Sequence, residues 1–232
     1  MVTRNINGSV ELKLQLTWKQ IEAELEKQTQ KTLKEVQIPG FRKGKAPESL
    51  ASPKLDQSQL LSKSLSELLP DVYSALVKQN DLKPILYPQI QIDKGKWGED
   101  FEFTAVTCES PKVDLPENYL ESIKKLDFKD AKEKLPVILE YLHKNSRVLI
   151  PDPLVAEEVN HRLSHLAENL TQLGMDMAKY LTTKKLSSDD LRSQTSNEAK
   201  TDLEMEFILT SLQSQQKLAD RKAVLDFLTS LV

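Results

Sequence analysis

The fold of the first half is decided by Val10-Glu11-Leu12-Lys13-Leu14-Gln15-Leu16, in which apolar and polar residues alternate. A period of two predicts a half-buried strand with the Val and Leu side chains on one face. Thr17 ends the alternation and can cap a helix, because apolar residues recur at helical spacing from Trp18 onward. A strand that leads directly into a long helix predicts a mixed α+β domain.

Further signals of both kinds follow in this half. A helical run covers Leu60–Val77, although Pro70 within it should kink the helix or split it in two. Two more alternating stretches, Gln89–Asp93 and Phe101–Val106, predict strands with turn glycines between them. We therefore expect an α+β domain over residues 1–115.

The strand signals stop after that point, and residues 116–232 are predicted to be all-helical. A helical run begins near Asp127. It is followed by a helix for which Asp152 can serve as the cap and Pro153 as the first residue.

That helix carries an apolar stripe with spacings of three and four residues, which predicts packing against another helix. The stripe comprises Val155, Val159, Leu163, Leu166, Leu170 and Leu173. It stops at Gly174, a residue type that commonly ends helices. A last long helical segment opens at Ser187 or Ser188.

The composition excludes several classes of protein. With 39% hydrophobic and 29% charged residues the chain is neither fibrous nor broadly disordered. Its single cysteine, Cys108, cannot form an internal disulfide, and the first residues lack the apolar core of a signal peptide. Since no apolar run is long enough to span a membrane, we expect a cytoplasmic protein.

The segment Ile38-Pro39-Gly40-Phe41-Arg42-Lys43-Gly44-Lys45-Ala46-Pro47 combines cations with an aromatic residue. Between Lys31 and Lys54 there are six Lys or Arg residues and two acidic residues, in a chain whose net charge is -3. A local positive excess indicates a polyanionic partner. The alternatives are a solvated loop without a partner, or a Phe41 side chain that tucks into the core.

The strand, the long helix, this basic segment and the strand opening Gly98-Glu99-Asp100-Phe101 together resemble the ribosome-binding domain of trigger factor, a bacterial chaperone family. The resemblance covers residues 1–124. It continues more weakly through Leu149–Val155 and Leu173-Gly174-Met175 into the helical domain that forms the family's substrate cradle. It implies an ATP-independent chaperone that needs no cofactor and shields nascent polypeptides during folding.

The resemblance also implies a docking site on the large ribosomal subunit at the tunnel exit. The matching residues are Phe41, Arg42 and Lys43, with Gly40, Gly44, Lys45 and Pro47 completing the signature. Arg42 and Lys43 can bind ribosomal RNA phosphates or acidic residues of a ribosomal protein. Phe41 can fill an apolar or base-stacking pocket.

One departure from the family concerns catalysis. Trigger factors usually insert an FKBP-like prolyl isomerase domain of roughly a hundred residues between the two halves, whereas here Leu120–Leu126 runs almost directly into the helical domain. We therefore expect a chaperone and not an enzyme, with an abridged cradle. The rival hypotheses are a prolyl isomerase, by family membership, and a holdase that does not visit the ribosome.

The helical domain supplies candidate client-binding side chains. Flexible or amphipathic residues adapt to varied sequences, and the candidates are Met175, Met177 and Tyr180, with Leu166 and Leu170 wherever the stripe faces a groove. His161 and His165 are four residues apart, but no third and fourth ligand accompanies them, so we expect no metal. Whether the chain is a monomer or a homodimer stays open.

Overall fold

The computed structural model describes residues 2–35, 55–128, 130 and 133–232. The chain divides into two compact units. Unit 1 consists of residues 1–4 and 10–107, and unit 2 of residues 5–9 and 108–232. The division after Thr107 comes before the predicted domain boundary at residue 115, and the functions assigned to the two halves stay predictions.

Unit 1 combines a four-stranded sheet with two helices. The strands are β1 (Val2–Arg4), β2 (Ser9–Leu16), β3 (Gln89–Lys94) and β4 (Phe101–Cys108), and the helices are α1 (Trp18–Glu35) and α2 (Gln57–Gln79). The strand order is β1-β2-β4-β3, and both the β1/β2 and the β3/β4 pairs are antiparallel. The predicted α+β architecture is confirmed for this unit.

The alternating residues of β2 place one row of apolar side chains in the core. Its apolar side chains are at most 3% exposed, and these are Val10, Leu12, Leu14 and Leu16. Residues of α1, α2 and β4 complete the same cluster, among them Ile21, Leu65 and Phe103. The core therefore forms where the sheet face meets the two helices, which also pack against each other.

Helix α2 runs continuously through Pro70, so of the two predicted outcomes, a kink or a split, the split is wrong. Proline removes the hydrogen bond to the carbonyl four residues earlier, here that of Ser66. Both Ser66 and Pro70 are exposed, so water can reach the carbonyl that loses its donor. The Asp56 side chain caps the helix by accepting from the backbone N–H groups of Ser58 and Gln59.

Unit 2 is mainly helical. Its helices are α3 (Tyr119–Lys124), α4 (Lys134–Asn145), α5 (Asp152–Gln172), α6 (Met177–Lys184), α7 (Ser188–Gln216) and α8 (Arg221–Ser230). Helix α7 packs against α4, α5 and α8. The largest fully buried side chains of this core lie on the four helices α3, α4, α7 and α8 and include Ile123, Ile138, Leu212 and Leu228.

Several details of unit 2 differ from the sequence-based prediction. The second helix, α4, begins at Lys134 rather than near Asp127. A short antiparallel ribbon pairs β5 (Val113–Asp114) with β6 (Arg147–Val148), and β6 lies in the part of the chain that we expected to be purely helical. Strands of two residues have no periodicity that a sequence pattern could reveal.

The start of α5 also differs by one residue. Pro151 is the N-cap, since its carbonyl accepts from the N–H groups of Leu154 and Val155, and Asp152 is the first helical residue. The Asp152 carboxylate instead accepts a hydrogen bond of 3.0 Å from Asn7 Nδ2, in the turn that belongs to unit 2. The predicted cap at Asp152 is therefore wrong.

The helix end at Gly174 and the helix start at Ser187 are confirmed. Gly174 has φ +68°, and the N–H of Met175 donates to the carbonyl of Leu170, as in a Schellman motif. Ser187 and Asp190 form a reciprocal capping box at the start of α7. In the described part of the chain, no helix combines the length and the apolar character that crossing a membrane would demand.

Candidate functional site

The predicted ribosome-docking residues lie outside the described part of the chain. These residues are Gly40, Phe41, Arg42, Lys43, Gly44, Lys45 and Pro47. The structure does describe what flanks them, since α1 ends at Glu35 and Leu55 precedes the capped start of α2. Because α1 packs against α2, the two flanks belong to one helical pair of unit 1.

The N-terminus of α1 is held by the β3–β4 connection. The backbone N–H of Trp18 donates to Asp100 Oδ1 at 2.8 Å, and the Trp18 ring packs on Trp97 with centroids 5.3 Å apart. Thr17 donates to the Gln20 side chain from both its N–H and its hydroxyl. The helix that leads to the docking segment is thus fixed by groups from a separate strand connection.

Helix α1 carries a row of lysines toward the docking segment. Lys27, Lys31 and Lys34 are spaced four and three residues apart, which places them on one face of the helix. All three line a groove of about 910 Å³ whose apolar walls include Trp18, Leu55 and Trp97. Lys27 is not among the residues predicted from the sequence, although its helical spacing to Lys31 is a signal that the sequence contains.

One of these lysines also holds a buried carboxylate in its charged form. Lys27 Nζ lies 3.0 Å from Glu24 Oε2, and Gln28 Nε2 donates to Glu24 Oε1 at 2.8 Å. The hydrogen bond from Lys27 first, and then that from Gln28, lowers the pKa of Glu24 below its ordinary value. Glu24 is only 8% exposed, so this pairing stabilises a buried negative charge on α1.

Two of the predicted client-binding residues come together in unit 2. Leu166 on α5 and Tyr180 on α6 line one cleft of about 310 Å³, together with Leu163, Leu186 and Leu191. Its lining mixes these apolar side chains with polar and charged ones, among them Lys184 and Glu198. Such a surface can accept an apolar side chain from another polypeptide.

The other predicted client-binding residues lie elsewhere. Leu170 is only 6% exposed and is part of the packing, so we remove it from the candidates. Met175 is 36% exposed and Met177 is half-buried, and neither lines the cleft. Leu173 is 78% exposed at the same helix end and is a better candidate that we had assigned to the helix packing. Its position as the last residue of the stripe was the available signal.

An ion-pair cluster fixes α5 against α7 beside the cleft. Arg162 Nε lies 2.7 Å from Glu158 Oε1, and its Nη2 lies 2.9 Å from Asp202 Oδ2. The hydrogen bond to Glu158, followed by that to Asp202, raises the pKa of Arg162. Arg162, which lines the cleft, therefore links α5 to α7.

By residue type, Cys108 and the pair His161 and His165 are the side chains of unit 2 to consider as a nucleophile and as metal ligands. Cys108 is fully buried, and burial raises the pKa of its thiol to about 11, so the reactive thiolate is disfavoured. His161 and His165 approach to 3.1 Å between their Nε2 atoms. Across the described residues no group of three or more His, Cys, Asp or Glu side chains could hold a metal ion.

Comparison with known families accounts for both units. The family model described as bacterial trigger factor protein matches residues 1–135, and the model of the trigger factor C-terminus matches residues 112–223. The chain belongs to the trigger factor family. Because the two matches overlap over residues 112–135, no further domain is inserted between these two family regions of the chain.

Individual trigger factors are similar over part of this chain. That of Mycolicibacterium smegmatis is 34% identical over 115 residues, which is 50% of this chain and 24% of the relative. That of Staphylococcus aureus strain JH9 is 29% identical over 144 residues, which is 62% of this chain and 29% of the relative. The matched regions thus span about a quarter of the relatives' length.

A solved structure from a study of substrate recognition by the trigger factor chaperone is also similar. It shares 23% sequence identity with a TM-score of 0.39, over 61% of this chain and 33% of that chain.

Proposed function

We propose that this protein is an ATP-independent chaperone that docks at the ribosomal tunnel exit and shields apolar segments of nascent chains in the cytoplasm. Docking is assigned to residues 38–47 within the first domain, and client holding to the helical domain. The observation that carries the proposal is the match of two trigger factor family models to the two halves of the chain.

The chemistry of the two units supports docking by the first domain and client holding by the helical domain. In unit 1, Lys31 and Lys34 near the end of α1 precede the positively charged docking segment in the sequence, and this charge suits ribosomal RNA or an acidic ribosomal protein. In unit 2 the cleft at Leu166 and Tyr180 and the exposed side chains of Leu173 and Met175 offer separate, shallow apolar contacts. Weak and multiple contacts let a client leave once it buries its own apolar surface.

Docking is tested by cosedimentation with ribosomes. The triple variant F41A/R42A/K43A should lose association, because it removes the apolar anchor and two cations together. The matched control is Tyr87→Ala with Lys96→Ala, which removes an aromatic residue that is 98% exposed and an exposed cation elsewhere in unit 1. Wild-type pelleting of the triple variant would reject the docking assignment.

Client holding is tested by light scattering from an aggregating client. Leu173→Ser with Met175→Ser should reduce protection several-fold, since it removes two exposed apolar side chains from the α5–α6 end. The control, Ile6→Ser with Leu149→Ser, removes apolar side chains that are 97% and 59% exposed elsewhere in unit 2. Equal losses in both variants would mean that any exposed apolar residue serves, and would refute a defined site.

A further inference from the structure

Strand β3 forms an edge of the unit 1 sheet and is exposed along its whole length. It is last in the strand order β1-β2-β4-β3, and all six of its residues, Gln89–Lys94, are exposed. Within the described part of the chain it pairs with β4 alone. Its other side therefore presents backbone N–H and C=O groups that no described strand uses.

The side chains of β3 are unusual for an exposed edge. Ile90 pairs with Ala105 and Ile92 pairs with Phe103, both of which are buried in the core. Directly paired residues point to the same face of a sheet, so both isoleucines lie on the core side. They are nevertheless 38% and 55% exposed. The apolar face of the sheet thus extends one strand beyond the layer that covers it.

The charges of this strand are already paired within unit 1. Asp93 Oδ2 lies 3.0 Å from Lys13 Nζ, and Lys94 Nζ lies 3.2 Å from Glu102 Oε2. The pairing register shifts between Ile92 and Lys94, which ends the regular edge at that point. An uncharged stretch, Gln89–Ile92, is left with backbone groups that no described strand uses and with two apolar side chains on one face.

We propose that the β3 edge binds an extended apolar polypeptide segment as an additional strand of the sheet. An extended backbone is the group that satisfies a row of unpaired edge donors and acceptors. Every second side chain of the incoming segment would then lie beside Ile90 and Ile92, as the period of a strand requires. This binding is independent of the ribosome docking and of the α5–α6 contacts proposed above.

The size of the edge favours a transient polypeptide over a second copy of this chain. Stable interfaces use about 20–30 residues on each side, whereas β3 offers six. A contact of this size suits a segment that binds and leaves quickly. A second copy would need further complementary surface around the strand.

The first test uses two peptides and the full-length protein. The probe is a labelled eight-residue peptide of alternating Val and Thr, and its partner carries an N-methyl group on every backbone amide, so that neither edge of the strand can donate. Anisotropy should show binding of the first peptide and at least about tenfold weaker binding of the second, because N-methylation removes the strand's donors. Hydrogen exchange of β3 amides should slow when the first peptide is present. Equal affinity of the two peptides, or unchanged exchange in β3, would overturn the proposal.

The second test uses variants of the edge. Ile90→Lys with Ile92→Lys places charges on an edge strand, a device that disfavours strand addition, and should weaken peptide binding about tenfold or more. Ile6→Lys is the matched control, because Ile6 is 97% exposed outside this strand, and it should bind within twofold of wild type. Unchanged binding by the double variant contradicts the proposal. So does sedimentation that reveals a dimer broken by the double variant, since the occupant is then a second copy.

Discussion

Replacing Asp100 with Ala should loosen the start of α1, because Asp100 Oδ1 accepts a 2.8 Å hydrogen bond from the Trp18 N–H. This N–H is one of the first four in the helix, which have no partner within the helix itself. Removing a side chain that satisfies such a group costs about 0.5–2 kcal/mol. The contact is exposed, so water can replace the acceptor, and we expect a loss of about 1 kcal/mol.

The two tryptophans of the chain make this measurable. Both lie in unit 1, at positions 18 and 97, so their fluorescence reports the unfolding of that unit. For a unit of roughly 100 residues, a loss of about 1 kcal/mol lowers the midpoint of thermal unfolding by about 4–8 °C. Asp100→Asn keeps an acceptor oxygen and should recover most of the loss. The neighbouring Glu99→Ala serves as control. If Glu99→Ala destabilises as much as Asp100→Ala, or if neither does, the capping argument fails.

Three further predictions concern charge and catalysis. The lowered pKa of Glu24 means that its contribution to stability is complete above its ordinary value of 4.5 and is lost as pH falls through the folded value. Urea unfolding should therefore show the difference between wild type and Glu24→Gln shrinking between pH 7 and pH 3; a constant difference would contradict the pairing. Ribosome docking should weaken with salt at a slope of about -2 to -3 in log K against log salt, and Lys45→Ala should reduce that slope by about one unit. A slope near zero would exclude phosphate contacts. Turnover of a proline-containing tetrapeptide should not exceed the uncatalysed rate, which is limited by a barrier of about 18–20 kcal/mol, and turnover that mutations in this chain abolish would restore the enzyme hypothesis.

Local patterns in the sequence predict those helices and strands that form because of contacts between residues close in the chain. The alternation of β2 predicted a strand with one buried face, and Ser187 with Asp190 places the start of α7 through a contact only three residues long. Asp100 could not be assigned in this way, because its partner Trp18 is 82 residues away. The exposure of Leu173 and the burial of Leu170 also depend on tertiary packing, since both positions fit the same apolar stripe.

The two candidate sites differ in the same way, because one is marked by a local motif and the other depends on tertiary structure. The docking residues were chosen by a motif of ten consecutive residues, and they lie outside the described part of the chain. The cleft was found only from the structure, because Leu166 and Tyr180 come together through the turn at Gly174 between α5 and α6. Side chains that meet across such a turn share no spacing that a single helical pattern could reveal.

The turn that carries Asn7 has a consequence for how this chain is made. Asn7 bonds to Asp152 across 145 residues of sequence, and both belong to unit 2. A ribosome that adds about 5–20 residues per second needs roughly 7–30 s to synthesise the intervening stretch. Throughout that interval the turn lacks its partner, whereas the contacts within unit 1 can form before Asp152 is synthesised. The emerging polypeptide thus passes through a stage in which its second unit is incomplete. In that stage its own apolar surface is not yet buried, which is the property that defines a chaperone's client.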